Sequence, residues 1–272
     1  MVRMTTSDTK AATGRSPIDG RRWFLDTEGN GQRIGEIVEL GLVETIDLVP
    51  TGRMHSWLIR PSEPIDWKAT RVHGIHNRDV ADMPSIADLA DEILAVLGDT
   101  PVGGQAVHGD LDAMSRALPR WRPTSAIDTF GMAKSLLPDL QSYKLSRMTE
   151  ELGLRNRIDA AAGGRAHGAL NDAMACALLV DEMRRLVPEK GFAHAFEQAE
   201  CLERWDRMVQ RRIDKVVKTE VRARQKEARR IAQRELEAHV KIHGSNRSRA
   251  REARAAYQAA ESKKGPPPEG RP

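Results

Sequence analysis

Three β-rich stretches joined by short links, followed by segments whose apolar residues recur at helical spacing, confine this chain to an α/β fold. WFLD (residues 23–26) is a short apolar run ending in the turn signal Gly29-Asn30-Gly31. IGEIVELGLV (34–43) reads as a second strand and the stretch 57–59 as a third, which predicts an antiparallel meander. Beyond it, Ile86, Leu89, Ala90, Ile93, Leu94 and Leu97 keep helix spacing, with Asp82 as N-cap, Pro84 in the first turn and Gly98 as the stop. A further strand is predicted over 101–107 and a helix near 110–118. Ser142 reads as the cap of a helix whose inner face is Leu145, Met148 and Leu152, ended by Gly153. Gly163-Gly164 breaks the chain before a last apolar helix at about 169–186. Strands that give way to strand–helix alternation argue for one α/β domain over residues 21–188.

Outside that stretch the texture differs. Residues 1–20 are Thr/Ser/Gly-rich and aperiodic, and read as a disordered lead. After Pro188, Leu202, Trp205, Val209, Ile213, Val216 and Val217 mark a narrow apolar stripe amid Arg and Lys, which would span roughly 70 Å if residues 195–241 form one helix, and KKGPPPEGRP reads as a disordered end. Residues 189–272 hold 21 Lys+Arg against 13 Asp+Glu, a net of +8, whereas residues 1–188 carry −4. An acidic body with a basic helical tail is a different object from a uniformly basic protein. With aromatics at only 4%, the tail suits phosphate contacts better than base contacts. Binding a protein partner and being a passive helix laced with i,i+4 pairs are the alternatives. Cys176 and Cys201 are too few for a disulfide framework. No apolar run approaches the roughly 18 residues of a membrane span, and the first twenty residues lack the apolar stretch of a signal peptide. A cytoplasmic protein without membrane contact is expected.

Three elements carry candidate chemistry. Asp26 and Glu28 lie two apart at the end of a strand, so both carboxylates point to one face. A surface turn with two solvated acids is the plain alternative, but the apolar WFL run places the pair at the edge of a core. GGQAVHGDLDAM (103–114) offers Asp110 and Asp112 as a strand leads into a helix; either could serve only the helix's first turn. AHGALNDAMACALL (166–179) offers His167 and Asp172. They are five apart, about 500° around an ideal helix, so they converge only if His167 lies in the loop before the helix.

The order D-x-E, then an Asp after a strand, then H-x4-D resembles the DEDDh group of 3′-to-5′ exonucleases, the DnaQ-like and RNase T-like branch of the ribonuclease H-like fold. FLDTEG followed by IVELGLV is similar to the first exonuclease motif and its next strand. VHGIHNRDVADMPSIADLADEI (72–93) resembles the family's His-Gly-Ile segment, and HGALNDA resembles its third motif. The resemblance covers about residues 21–188. In the middle motif, GQAVHGDL looks like the family variant with one additional residue, a register that selects Asp110 over Asp112. Gly168 stands where a tyrosine branch would need Tyr. GNG after Glu28 departs from the Thr-Thr-Gly of many relatives.

The resemblance implies a mixed sheet flanked by helices, with Asp26, Glu28, Asp110 and Asp172 as ligands of two Mg²⁺ (or Mn²⁺) ions and His167 as the general base. Oxygen-only carboxylate donors suit such hard cations, and the near-neutral pKa of histidine suits that base. It places Thr27, Gly29, His73 and Ile75 beside the terminal nucleotide, although His73 capping a turn is an equal alternative. Asp128 reads as a structural strand-end acid, His108 as part of the fold around the middle motif, and Cys176 as core. The implied activity is removal of nucleoside monophosphates from a single-stranded 3′ end of DNA or RNA. An exoribonuclease is the rival within the class. A proofreading or scaffold subunit that binds a polymerase or other partner through residues 189–272 is the rival outside it.

Overall fold

A computed structural model describes residues 18–163, 168–243 and 247–262. The three predicted strands form the meander. They are β1 (Arg21–Gly29), β2 (Ile37–Ile46) and β3 (Val49–Leu58), with β1–β2 and β2–β3 both antiparallel. Helices α1 (Trp67–His73), α2 (Asn77–Val80) and α3 (Ile86–Leu97) follow. The chain then enters β4 (Val102–Gly104), α4 (His108–Ala117), β5 (Ala126–Asp128) and α5 (Thr129–Leu136). Helices α6 (Leu145–Glu151), α7 (Arg155–Ala162), α8 (Ala169–Leu186) and α9 (Glu189–Ala199) complete the body. The sheet order is β3-β2-β1-β4-β5, with β4 and β5 parallel to β1. A mixed sheet flanked by helices is the predicted class.

β1 lies at the centre because it can be buried on both faces: Trp23, Phe24 and Leu25 have no exposed surface. Phe24 faces the main apolar cluster with Val43, Ile127, Ala173 and Ala177. α8 is the helix that β1 and β2 pack on, and its alanines allow close approach. At Gly41 of β2 the approach leaves no space: a Cβ there would sit 2.3 Å from the backbone of Ala169 and Leu170. α9 adds Phe192 and Phe196 to the same cluster. The Arg22 guanidinium lies 5.2 Å from the Phe196 ring centroid and donates to the Val102 carbonyl at 2.7 Å; burial pulls its pKa down to about 10.

Two capping expectations are corrected. The cap of α3 is Ser85, not Asp82: its side chain accepts from Asp88 N while the Asp88 carboxylate accepts from Ser85 N. α6 begins after Lys144, and Ser142 closes only a local turn by accepting from Lys144 N at 3.3 Å. A single helix over 195–241 is also corrected. The chain breaks at Glu200 and Cys201, where Glu200 bridges Ile127 and Cys201 N donates to the Ala126 carbonyl at 2.8 Å. Pairing with β5 competes with the helix there. Helix α10 (Leu202–His243) then starts, and Trp205 Nε1 donates to Asp112 Oδ1 at 2.7 Å while Asp206 pairs with Arg122.

The chain divides into two compact units, one ending at Asp206 and the other starting at Arg207. In the second, α10 and α11 (Arg247–Ser262) share a groove lined by Leu236, His239, Ala253, Ala256 and Tyr257. No helix among the described residues is long and apolar enough to cross a membrane.

Candidate active site

The carboxylates gather at the end of β1. β4 pairs with β1 only at Trp23 and Phe24, so beyond Phe24 the β4-side edge of β1 is free of a strand while its other edge stays paired with β2. The β4 chain turns away at Ala106, which adopts a φ of 51° and donates its N–H to Asp128 Oδ1 at 2.8 Å. Asp128 therefore holds this turn and also caps α5. α4 then brings Asp110 to the freed edge. Its Oδ1 accepts from Thr27 N at 2.9 Å and from Thr27 Oγ1 at 2.7 Å. Asp112, two residues on and about 200° around the helix from Asp110, is held by Trp205.

From the opposite side α8 presents Asp172 in its first turn. One oxygen each from Asp26, Glu28 and Asp172 lie within 4.8 Å of one another. All of the donors are carboxylate oxygens, the set a hard divalent cation takes. The electrostatics point the same way. Burial first, then the charges of Asp110, Asp172, Glu28 and Glu39, push the Asp26 carboxyl well above the usual carboxylate range. Burial lifts Asp110 to about 6, against the lowering effect of its bonds from Thr27. Carboxylates gathered this closely repel one another, and a bound cation offsets that repulsion. The residues fit a metal.

Glu39 belongs to none of the three motifs, and sequence reasoning misses it. It faces Glu28 across the β1–β2 ladder, is buried, and accepts the Ala169 N–H at 2.9 Å. It thus satisfies an orphan donor at the start of the helix that carries Asp172. Its signal is a charged residue inside the apolar run IVELGLV, which needs a buried partner. Beside Asp172, a cavity of about 290 Å³ is lined by Ser146, Arg147, Arg155 and Asn171.

Other expected residues fall nearby. His73 and Ile75 are both buried, and His73 Nδ1 accepts from Ile75 N at 3.1 Å, which closes the turn at Gly74 (φ 77°). Gly29 ends β1. The loop after it is closed by Asn30, whose side chain accepts from Gln32 N and Glu36 N. His167 lies outside the described residues. Cys176 is fully buried, and burial raises its thiol pKa strongly.

Residues 23–180 match the RNase_T exonuclease family model. The chain belongs to this exonuclease family. It is 32% identical over 164 residues to the DNA polymerase III subunit epsilon of Rickettsia felis, covering 56% of this chain and 69% of that protein. Exonuclease X, solved with 5′-overhanging duplex DNA, is 26% identical with a TM-score of 0.50, covering 65% of this chain and 98% of that one. Escherichia coli exonuclease I, solved with a dA16 oligonucleotide, shares the fold with a TM-score of 0.53 at 16% identity, over 65% of this chain and 43% of that one. As a family member the chain is a 3′-to-5′ exonuclease, a hydrolase that acts on nucleic acid.

Proposed function

We propose that the protein removes nucleoside monophosphates from single-stranded 3′ ends of DNA or RNA in the cytoplasm, with Asp26, Glu28, Asp110 and Asp172 holding two divalent cations, Mg²⁺ or Mn²⁺. The observation that carries this reading is the meeting of Asp26, Glu28 and Asp172 within 4.8 Å at the freed edge of β1. When bound, such cations activate a water and offset the charge that builds on the phosphate and leaving oxygen. The chain's own residues do the rest. Thr27 spends its N–H and hydroxyl on Asp110 and keeps that carboxylate turned towards β1. Glu39 fixes the first turn of α8 and with it Asp172. His167, placed by the H-x4-D spacing of the third motif, takes the proton from the attacking water. Gly29, His73 and Ile75 shape the seat of the terminal nucleotide.

Residues 21–188 are assigned the cleavage, and residues 189–272 the grip on the substrate backbone. Similarity to a polymerase subunit favours a second reading of the tail, in which it docks on a polymerase-like partner. Digestion of labelled single-stranded DNA, duplex DNA and RNA with Mg²⁺ or Mn²⁺ tests the proposal. Stepwise shortening from the 3′ end is expected, absent in excess chelator and in Asp172→Ala. Robust cleavage in chelator would overturn the metal assignment. A stoichiometric polymerase co-purifying through the tail would favour the second reading.

A further inference from the structure

Of the five tryptophans, Trp23, Trp57, Trp121 and Trp205 are between 0 and 8% exposed, whereas Trp67 is 59% exposed. An indole left in water at the first position of a short helix contributes little to the core. Two cations attend it: Lys68 Nζ lies 5.7 Å and Arg71 Cζ 5.5 Å from the ring centroid. Neither cation has a carboxylate partner among the described residues. A flat apolar ring beside unpaired positive charge is the combination that binds single-stranded nucleic acid, the ring taking a base and the cations its phosphates.

The position supports this. Asp66 N donates to the Asn30 carbonyl at 2.8 Å, two residues beyond Glu28. Gly31 packs so closely on α1 that a Cβ there would lie 2.9 Å from Ala69 Cβ. α1 is therefore seated on the loop that leaves the catalytic strand. Its other end leads directly into His73 and Ile75, about 9 Å from Trp67 along the axis at 1.5 Å per residue.

We propose that Trp67, with Lys68 and Arg71, forms a stacking site for a base upstream of the nucleotide being removed. This rests on the exonuclease reading above and adds a specificity: it favours substrates long enough to reach the indole, of any sequence, because every base presents a π-face.

The four buried tryptophans make the test direct. Single-stranded oligodeoxynucleotide should quench the tryptophan emission of the Asp172→Ala protein, and Trp67→Phe in that background should remove the quench. In the active protein, Trp67→Ala should raise KM for a ten-nucleotide substrate by on the order of tenfold. Trp67→Phe should restore most of the loss and Trp67→Leu should not. Hydrolysis of the p-nitrophenyl ester of thymidine 5′-monophosphate, too short to reach the indole, should be unchanged in all three. If the wild type cleaves both substrates, Trp67→Ala matches it on both and the oligonucleotide causes no quench, the stacking site is wrong and the exposed indole serves a protein partner instead. Loss on the ester as well would place Trp67 in the terminal seat and also overturn the proposal. If the wild type cleaves neither substrate, the exonuclease reading itself fails.

Discussion

Asp26 shares the end of β1 with Glu28, and Asp110, Asp172 and Glu39 all add to the field that opposes its ionisation. In the metal-free protein this is a net cost to folding. Asp26→Asn should therefore raise the melting temperature in chelator, by about 2–4 °C for each kcal/mol of repulsion relieved in a body of this size, while abolishing cleavage. It should also shrink the gain in melting temperature that Mg²⁺ gives the wild type, because a ligand that binds only the folded state stabilises it in proportion to its affinity. An unchanged or lowered melting temperature would show that the cluster is not strained by its charges. The two middle acids separate in the same spirit. Asp110→Asn removes a carboxylate from the site and should slow turnover by more than the roughly 10–100-fold that losing an outer-shell partner costs. Asp112→Asn should leave turnover within a few-fold and weaken the attachment of Trp205. Steady-state kinetics on both variants decide the register.

Helix α8 was legible from sequence, because Gly163-Gly164 reads as a break before it and its interior is apolar on every side. The meander was legible for the same kind of reason: β1 and β2 each hold an apolar run, WFL and the longer stretch around IVELGLV, with turn residues between them. α1 and α2, seven and four residues long, were not. Helices so short are held by what they pack on, here the seat at Gly31, and such packing leaves no periodicity to read. Asp26, Glu28, Asp110 and Asp172 stood out through motif order, whereas Glu39 and Trp67 did not, since each gains its meaning from a neighbour distant in sequence. Close packing of elements also sets how glycines respond. Gly41→Ala would drive a methyl into the α8 backbone and should cost about 1–3 kcal/mol or more. Gly191→Ala in α9, with nothing within 4 Å, should stabilise by about 0.5–1 kcal/mol. Thermal or urea melts of the two variants should move in opposite directions.

On the scale of the molecule, residues 207–272 hold 19 Lys+Arg and 8 Asp+Glu, a net of +11, so the rest of the chain is acidic. Phosphate attraction by the body must then rely on its bound cations and a few local arginines. α10 spans about 63 Å at 1.5 Å per residue, long enough to follow many nucleotides. Ending the chain at Asp206 keeps the first compact unit whole. It should weaken binding of long single strands and flatten the salt dependence by about 0.7 log units for each phosphate that the tail no longer neutralises. Cleavage of a dinucleotide should barely change. Binding titrations between 50 and 200 mM salt (roughly the range over which such slopes are read) provide the check, and an unaltered slope would turn the tail into a docking arm for protein.

The bonds that complete the catalytic centre also fix when it can exist. Thr27 meets Asp110 across 83 residues, and Glu39 meets Ala169 across 130. Groups so far apart along the chain come together late, after the local hairpin of β1 and β2. A nascent or partly unfolded chain therefore has its first two carboxylates in place but not the third and fourth. Such a chain has no complete cutting centre until α8 docks against the sheet.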